Sequence, residues 1–160
     1  VAQARSAFVV LDTAPTGHSM LLMDATGAYH RQMTREFEGH GTSHIVTPLM
    51  RLQDAAYTKI ILVTLPEVTP VSQAAALQED LRRASIEPYA WVLNKSVLAA
   101  GTRDPLLAAR LAGERKQLER MAIGLAKRIF TLAWLTVPPI GFVELSKLVA
   151  KPSSAEAIHA

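Results

Sequence analysis

Asp12 and Asn94 are the two side chains whose type and position best suit chemistry, because each directly follows a run of apolar residues. Residues 8–11 are apolar, and a turn containing proline and glycine comes after Asp12. A carboxylate in such a place can hold Mg²⁺ through water, since Mg²⁺ keeps most of its hydration shell. The amide of Asn94 offers both the donor and the acceptor that an adenine edge requires.

Four apolar runs predict the strands that position these residues. Such runs indicate strands buried on both faces, which is typical of parallel sheets. The runs are residues 8–11, 58–65, 89–93 and 129–135. In open α/β sheets, ligands bind beyond the carboxyl ends of the strands, where Asp12 and Asn94 lie. The alternative interpretation of Asn94 is a turn residue that bonds its own backbone.

Helical patterns alternate with these runs. Thr69, as an N-cap, and Pro70, in the first turn, predict a helix start, with Glu79 and Arg83 as an outer ion pair. Asp104-Pro105 predicts a second, long helix to about residue 126, and residues 142–149 predict a last one. The predicted buried stripes are Val71, Ala74, Leu77, Leu81 and Ala84 in the first helix, and Leu107, Leu111, Leu118, Met121 and Leu125 in the second. This alternation predicts an α/β fold with a parallel, doubly wound sheet and flanking helices.

Composition limits the possible classes of function. The 160 residues suffice for one domain with a substantial core. The net charge of +3 does not indicate nucleic-acid binding, and the absence of cysteine excludes disulfides. The sequence contains no G-x-x-x-x-G-K-[ST] loop. The sequence also opens only a few residues before a predicted core strand, and a near-central strand rarely begins a chain. We therefore expect a phosphate-binding strand and loop to be cut off or encoded elsewhere, the alternative being a domain complete in itself.

Residues 12–18, DTAPTGH, resemble the signal-transduction motif of the arsenical pump-driving ATPases and of their relatives that target tail-anchored membrane proteins. Three more blocks resemble that family in the same order, LVTLPE at 62–67, LQEDLRR at 77–83 and IEPYAWVLN at 86–94. The resemblance implies a P-loop NTPase-like fold that lacks the P-loop strand. Residues 1–150 would form the C-terminal part of one nucleotide-binding domain, followed by a flexible tail over 151–160.

The resemblance also implies roles for individual residues. Asp12, the implied catalytic residue, would bond a Mg²⁺-bound water. A turn that detects the γ-phosphate of ATP would be formed by Thr13, Pro15, Thr16 and Gly17. His18 would pass that state to the effector site, the alternative being a helix-start residue that bonds a neighbouring backbone group.

On the adenine side, the resemblance assigns Asn94 to the base. Lys95 departs from the amide residue that usually follows this asparagine in the family. Pro138 or Pro139 would pack against the adenine, and a rigid turn is the alternative interpretation of these prolines.

The implied function is that of part of an ATPase that couples ATP hydrolysis to arsenite or antimonite efflux through a membrane pump. Residues 23–30, MDATGAYH, resemble the pump branch. Soft metalloid centres need thiolates, and this chain supplies none. The alternatives are an ATPase that targets tail-anchored membrane proteins, or a truncated non-enzymatic chain that dimerises through an exposed sheet edge.

The implied cofactors are ATP and Mg²⁺. We expect the chain to be inactive without a P-loop half, supplied by an N-terminal polypeptide or a homologous subunit. Other expected partners are a membrane efflux pump subunit and a second copy of the chain, but not nucleic acid. The expected location is the cytoplasm, with peripheral attachment to the inner membrane as an option.

Overall fold

Three parallel strands form the centre of the structure, a computed structural model that describes residues 8–12, 46 and 48–150. The strands are β1 (Ile61–Thr64), β2 (Ala90–Ser96) and β3 (Ile129–Ala133), hydrogen-bonded in the order β1-β2-β3. Leu62 of β1 is in register with Trp91, and Leu93 with Thr131. The α/β class and the parallel sheet are thus confirmed.

Five α-helices are described around this sheet, and most begin close to where the sequence predicts. They are α1 (Pro48–Gln53), α2 (Val68–Arg83), α3 (Val97–Ala100), α4 (Pro105–Arg120) and α5 (Gly141–Ala150). A π-helical turn, Met121–Leu125, continues α4 without a break. The predicted long helix to about residue 126 is therefore an α-helix followed by a π turn.

The two long helices differ in how they begin. Asp104 caps α4 as predicted, because its Oδ1 accepts hydrogen bonds from Leu106 N at 2.8 Å and Leu107 N at 3.4 Å. In α2 the N-cap is Glu67 rather than Thr69, and no side chain bonds the free backbone N–H groups. Pro70 still lies in the first turn, where an N–H has no intrahelical partner.

The end of α2 is set by the backbone and not by the proline that follows it. The helix ends at Arg83, five residues before Pro88. Ser85 takes a left-handed conformation with φ of 60°, and Ile86 N donates to Leu81 O at 2.9 Å. This pattern is a helix C-cap that satisfies terminal carbonyls. The predicted Glu79–Arg83 pair is wrong, since Arg82 binds Glu79 and Arg83 binds Asp80.

One face of the sheet packs against α2 and the π turn. Leu62, Trp91 and Leu93 are buried there, together with Leu81 and Met121. Gln78 also lies inside, where its Oε1 accepts from Trp91 Nε1 at 2.7 Å and its Nε2 donates to Leu125 O at 2.8 Å. Of the buried stripe predicted for α2, Val71, Ala74 and Leu81 are buried as expected, but Leu77 is only half-buried.

The opposite face of the sheet is exposed. Ile61, Val63, Phe130 and Leu132 point there, with exposed fractions between 40% and 63%. Within residues 48–150, only one face of the sheet is therefore packed. The described helices thus supply one of the two helical layers of a doubly wound sheet.

The predicted buried strand at residues 8–11 is wrong in this structure. Phe8 is 89% exposed and Leu11 is 76% exposed, and residues 8–12 have no regular secondary structure. An apolar run indicates that burial would be favourable, but a strand also needs a neighbour for its hydrogen bonds. None of the three described strands pairs with this segment. The tail predicted over residues 151–160 lies outside the described residues.

Candidate functional site

The carboxyl ends of all three strands lie on one edge of the sheet, because the strands are parallel. This ligand-facing edge carries the residues that follow β1, β2 and β3. Trp134 N donates to Ser96 O at 2.9 Å, so the ends of β2 and β3 remain joined where the regular ladder stops. Open parallel sheets bind ligands at this edge.

Asn94 lies on β2 at an irregularity of the sheet. The register between β2 and β3 shifts between Leu93 and Ser96, and Lys95 has a positive φ of 56°. The Asn94 Oδ1 accepts from Lys95 N at 2.9 Å, as in a local turn. Among the described residues, its Nδ2 has no hydrogen-bond partner, and the side chain is half-buried. Asn94 thus makes the local turn contact through its Oδ1, while its Nδ2 remains available as a donor at the ligand-facing edge.

A buried carboxyl group fixes the backbone just beyond Asn94. Glu114 of α4 is 2% exposed and accepts from Val97 N at 3.0 Å and Leu98 N at 3.3 Å. It also accepts from the Ser96 hydroxyl, whose oxygen in turn accepts from Ala99 N at 2.9 Å. Glu114 therefore satisfies the first N–H groups of α3 from a different helix.

Sequence reasoning missed Glu114, although a signal was present. Glu114 falls three residues after Leu111 and four before Leu118, on the predicted apolar stripe of α4. A carboxylate at such a position has to meet donors, because burying an unpaired charge is costly. Gln117, three residues further along the same helix, is also buried, at 8% exposed.

A cavity of about 240 Å³ opens on the same edge. Its walls come from the residues that follow β1 and β2 and from one side of α4. They include Pro66, Glu67, Val68, Val97, Arg110 and Gln117. Asn94 is not among the residues that line it.

Asp12 is exposed, and it makes no hydrogen bond or ion pair with the described residues. The residues of the predicted γ-phosphate turn, Thr13, Pro15, Thr16, Gly17 and His18, lie outside the described residues. The roles proposed for these residues therefore stay predictions. Within residues 8–12, 46 and 48–150, no group of three or more His, Asp or Glu side chains could hold a metal ion.

Pro138 and Pro139 lie in the irregular segment that leaves β3 from the ligand-facing edge. Pro138 is exposed and Pro139 is half-buried. Their packing against a base stays a prediction.

An ion pair away from this edge, near the C-terminus of α2, shifts the pKa of Glu87. Hydrogen bonds to Arg82 lower the pKa of Glu87, against the opposing effect of burial. The two groups are joined by an ion pair at 2.9 Å. This pair is structural in character, because it joins the last turn of α2 to the segment before β2.

Comparison with known proteins gives a consistent result, although no protein-family model matches the chain. The chain is 48% identical over 149 residues to an arsenical pump-driving ATPase of Escherichia coli, which is 93% of this chain and 25% of that protein. It is 47% identical over 150 residues to an arsenical pump-driving ATPase of Acidiphilium multivorum, with 94% and 25% covered.

A further Escherichia coli protein of the same name is 47% identical over 148 residues. The chain spans about a quarter of the length of these curated relatives. Among the described residues, no helix combines the length and apolar character needed to cross a membrane. The similarity of the chain to these proteins extends over more than nine-tenths of its length, and it shows that the chain belongs to the arsenical pump-driving ATPase family.

Proposed function

We propose that this chain is part of an ATPase that couples ATP binding and hydrolysis to the efflux of arsenite or antimonite through a membrane pump. The observation that carries the proposal is the 48% identity over 93% of the chain to a protein named for driving an arsenical pump. The three relatives above all bear that name, which favours the pump over the targeting of tail-anchored proteins.

On this proposal, the adenine contacts the ligand-facing edge of the sheet. Asn94 suits the base because its amide has one donor without a described partner and an oxygen held only by a local N–H. Glu114 and Ser96 support this assignment, since they fix the backbone immediately after Asn94. Pro138 or Pro139 would pack against the base.

The phosphate side is assigned to the DTAPTGH segment. Asp12 would bond a water of Mg²⁺, and its exposed carboxyl group without a described partner fits that role. When bound, Mg²⁺ would neutralise charge on the phosphates of ATP. The turn of Thr13, Pro15, Thr16 and Gly17 would order on the γ-phosphate and relax without it, and His18 would transmit the change.

The phosphate cradle and its lysine would come from polypeptide outside this sequence, because the sequence has no Walker A loop. This polypeptide is the first proposed partner, and the pump subunit is the second. We place the chain in the cytoplasm, where ATP is available, with contact to the membrane through the pump.

The test is ATP hydrolysis after co-expression of the chain with a polypeptide that carries the P-loop. We expect turnover only in the combined sample, and stimulation by antimonite. Asp12→Asn should abolish turnover. Asp54→Asn should leave it unchanged, because Asp54 precedes β1, whose first residue lies at the edge of the sheet opposite the ligand-facing edge. If the combined sample shows no turnover, or if Asp12→Asn changes nothing, the proposal fails.

A second substitution separates the two interpretations of Asn94. Asn94→Asp keeps an oxygen for Lys95 N but removes the amide donor. If Asn94 reads the adenine, the variant should raise KM for ATP about tenfold, the loss expected from one hydrogen bond and added repulsion. If Asn94 serves only the local turn, KM should not change, and Gln73→Glu on the exposed face of α2 provides the matched control.

A further inference from the structure

Strand β2 carries a bulge where it reaches the ligand-facing edge. Leu93 is in register with Thr131. The next registered pair, Ser96 and Ala133, lies three residues further along β2 but only two further along β3. Two residues of β2 therefore oppose one of β3, which defines a β-bulge. Bulges are rare between parallel strands, and beside functional sites they re-aim a side chain, which here is that of Asn94.

Lys95, the second residue of the bulge, has a left-handed conformation with φ of 56°. Residues other than glycine, asparagine and aspartate rarely take it, because Cβ approaches the following carbonyl oxygen. The ammonium group is exposed and makes no contact with the described residues that would favour this conformation. The neighbouring residue holds it instead, since Ser96 O accepts from Trp134 N and the Ser96 hydroxyl donates to Glu114. Backbone conformations held in this way concentrate at functional sites.

The backbone of Lys95 decides which end of the Asn94 amide is free. Lys95 N donates to Asn94 Oδ1 at 2.9 Å. Turning the amide over would place Nδ2 against this N–H, and two donors cannot bond each other. The oxygen is therefore kept toward the backbone, and Nδ2, which has no partner among the described residues, is left for a ligand.

We propose that Lys95 is a positioning residue, whose backbone N–H holds the Asn94 amide with its donor outward and so sets a preference for adenine over guanine. Adenine has an acceptor at ring nitrogen N1, which Nδ2 can meet. Guanine has an N–H at the same position, and two facing donors would both lack a partner. This role rests on the proposed function, because Asn94 meets a base only if the chain takes part in binding ATP.

The test compares ATP, GTP and ITP as substrates of the chain co-expressed with a P-loop polypeptide. The base of ITP has the ring N–H of guanine but no 2-amino group, so ITP isolates the contact at N1. We expect kcat/KM for ATP to exceed that for ITP by about tenfold or more, as expected when one hydrogen bond is lost. Equal kcat/KM for ATP and ITP would overturn the role of Lys95.

Substitutions of Lys95 separate its backbone from its charge. Lys95→Val keeps the N–H but disfavours a positive φ, because valine is β-branched. The ratio of kcat/KM for ATP over ITP should therefore fall toward one. Lys95→Asn removes the same charge but accepts the left-handed conformation, so it should keep the ratio. Lys116→Val, at an exposed site of α4, is the matched control and should also keep it. The role is refuted if Lys95→Val keeps the ratio or if Lys95→Asn loses it.

Asn94→Asp is a second variant that does not depend on tolerance at Lys95. The carboxylate still accepts from Lys95 N, but it presents an acceptor in place of Nδ2. The ratio should then reverse in favour of ITP, which donates from its ring N–H. A variant that still prefers ATP would contradict the fixed orientation of the amide.

A measurement on the 160-residue chain tests the backbone without any nucleotide. The three-bond coupling between the amide and α protons of Lys95 reports its φ, and a coupling typical of an extended strand would overturn the role. The kinetic results distinguish this role from the proposed function. Absence of ATP turnover in the unmodified combined sample refutes both, whereas turnover with equal kcat/KM for ATP and ITP refutes the role of Lys95 alone.

Discussion

Replacing Glu114 by leucine removes the only described partner of several donors at once. Val97 N and Leu98 N lose their acceptor, and the hydroxyl of Ser96 loses the group to which it donates. A buried donor left unpaired costs about 1–3 kcal/mol. The two unpaired backbone donors together cost about 2–6 kcal/mol. The variant no longer buries a carboxyl group, and this gain offsets part of that cost. We expect a net loss of about 3 kcal/mol in the free energy of unfolding.

Urea unfolding followed by tryptophan fluorescence measures this loss. Trp91 is 1% exposed, so its emission should shift strongly when the core opens. Glu119→Leu is the matched control, because Glu119 lies on the same helix, is exposed, and has no described partner. Glu114→Gln should cost only about 1 kcal/mol, because the amide oxygen still accepts from the backbone.

A double-mutant cycle with Ser96→Ala isolates the hydroxyl contact. Because Ser96 and Glu114 share one network, their effects should not add, and a coupling of about 1 kcal/mol is expected. The reasoning would be refuted if Glu114→Leu cost no more than Glu119→Leu. That result would mean that the first N–H groups of α3 find other acceptors.

Three further predictions concern the core and α2. The pKa of Glu87 is lowered by Arg82, so the pair should stabilise the fold above the ordinary carboxyl pKa and lose its effect as the pH falls through the lowered value. Glu87→Gln should therefore lower the free energy of unfolding by under about 1 kcal/mol at pH 7, since the pair is half exposed. The urea midpoints of the variant and of the unmodified chain should converge at low pH, and midpoints that stay apart there would contradict this. Ser85→Gly should raise stability by about 0.5 kcal/mol, because a left-handed φ disfavours side chains, and a lower melting temperature would count against it. Gln78→Met should cost about 2–4 kcal/mol, because an indole N–H and a carbonyl lose their partners, and thermal unfolding like that of Gln73→Met would disprove it.

Local signals in the sequence predicted much of the fold. The start of α4 follows from Asp104-Pro105 alone, because the capping carboxylate and the proline act within one turn. The strands β1, β2 and β3 were each found within a few residues, since their apolar runs are bounded by polar or proline-containing segments. In these cases the residues of the segment itself decide its structure.

Residues that depend on distant partners were predicted less well. Gln78 is buried because Trp91 and Leu125, far along the chain, supply its hydrogen bonds. Glu114 is buried because α3 begins beside it. The run at residues 8–11 looks like a core strand, yet it is exposed, because pairing requires a neighbour that no local pattern supplies. Of the candidate site, the sequence located Asn94 at the strand end but not the network behind it.

The π turn after α4 makes the length of this segment adjustable. Ala126 N donates to Met121 O, five residues earlier, so the turn holds one residue more than a regular α-helix would. An insertion inside an ordinary helix rotates every later side chain by about 100°. Here the extra residue is accommodated between Met121 and Leu125. The direction in which Glu114 and Gln117 face therefore does not depend on how the chain continues into β3. Deleting one residue at this place should therefore leave a regular α-helical turn and keep both the sheet and the helix face in register.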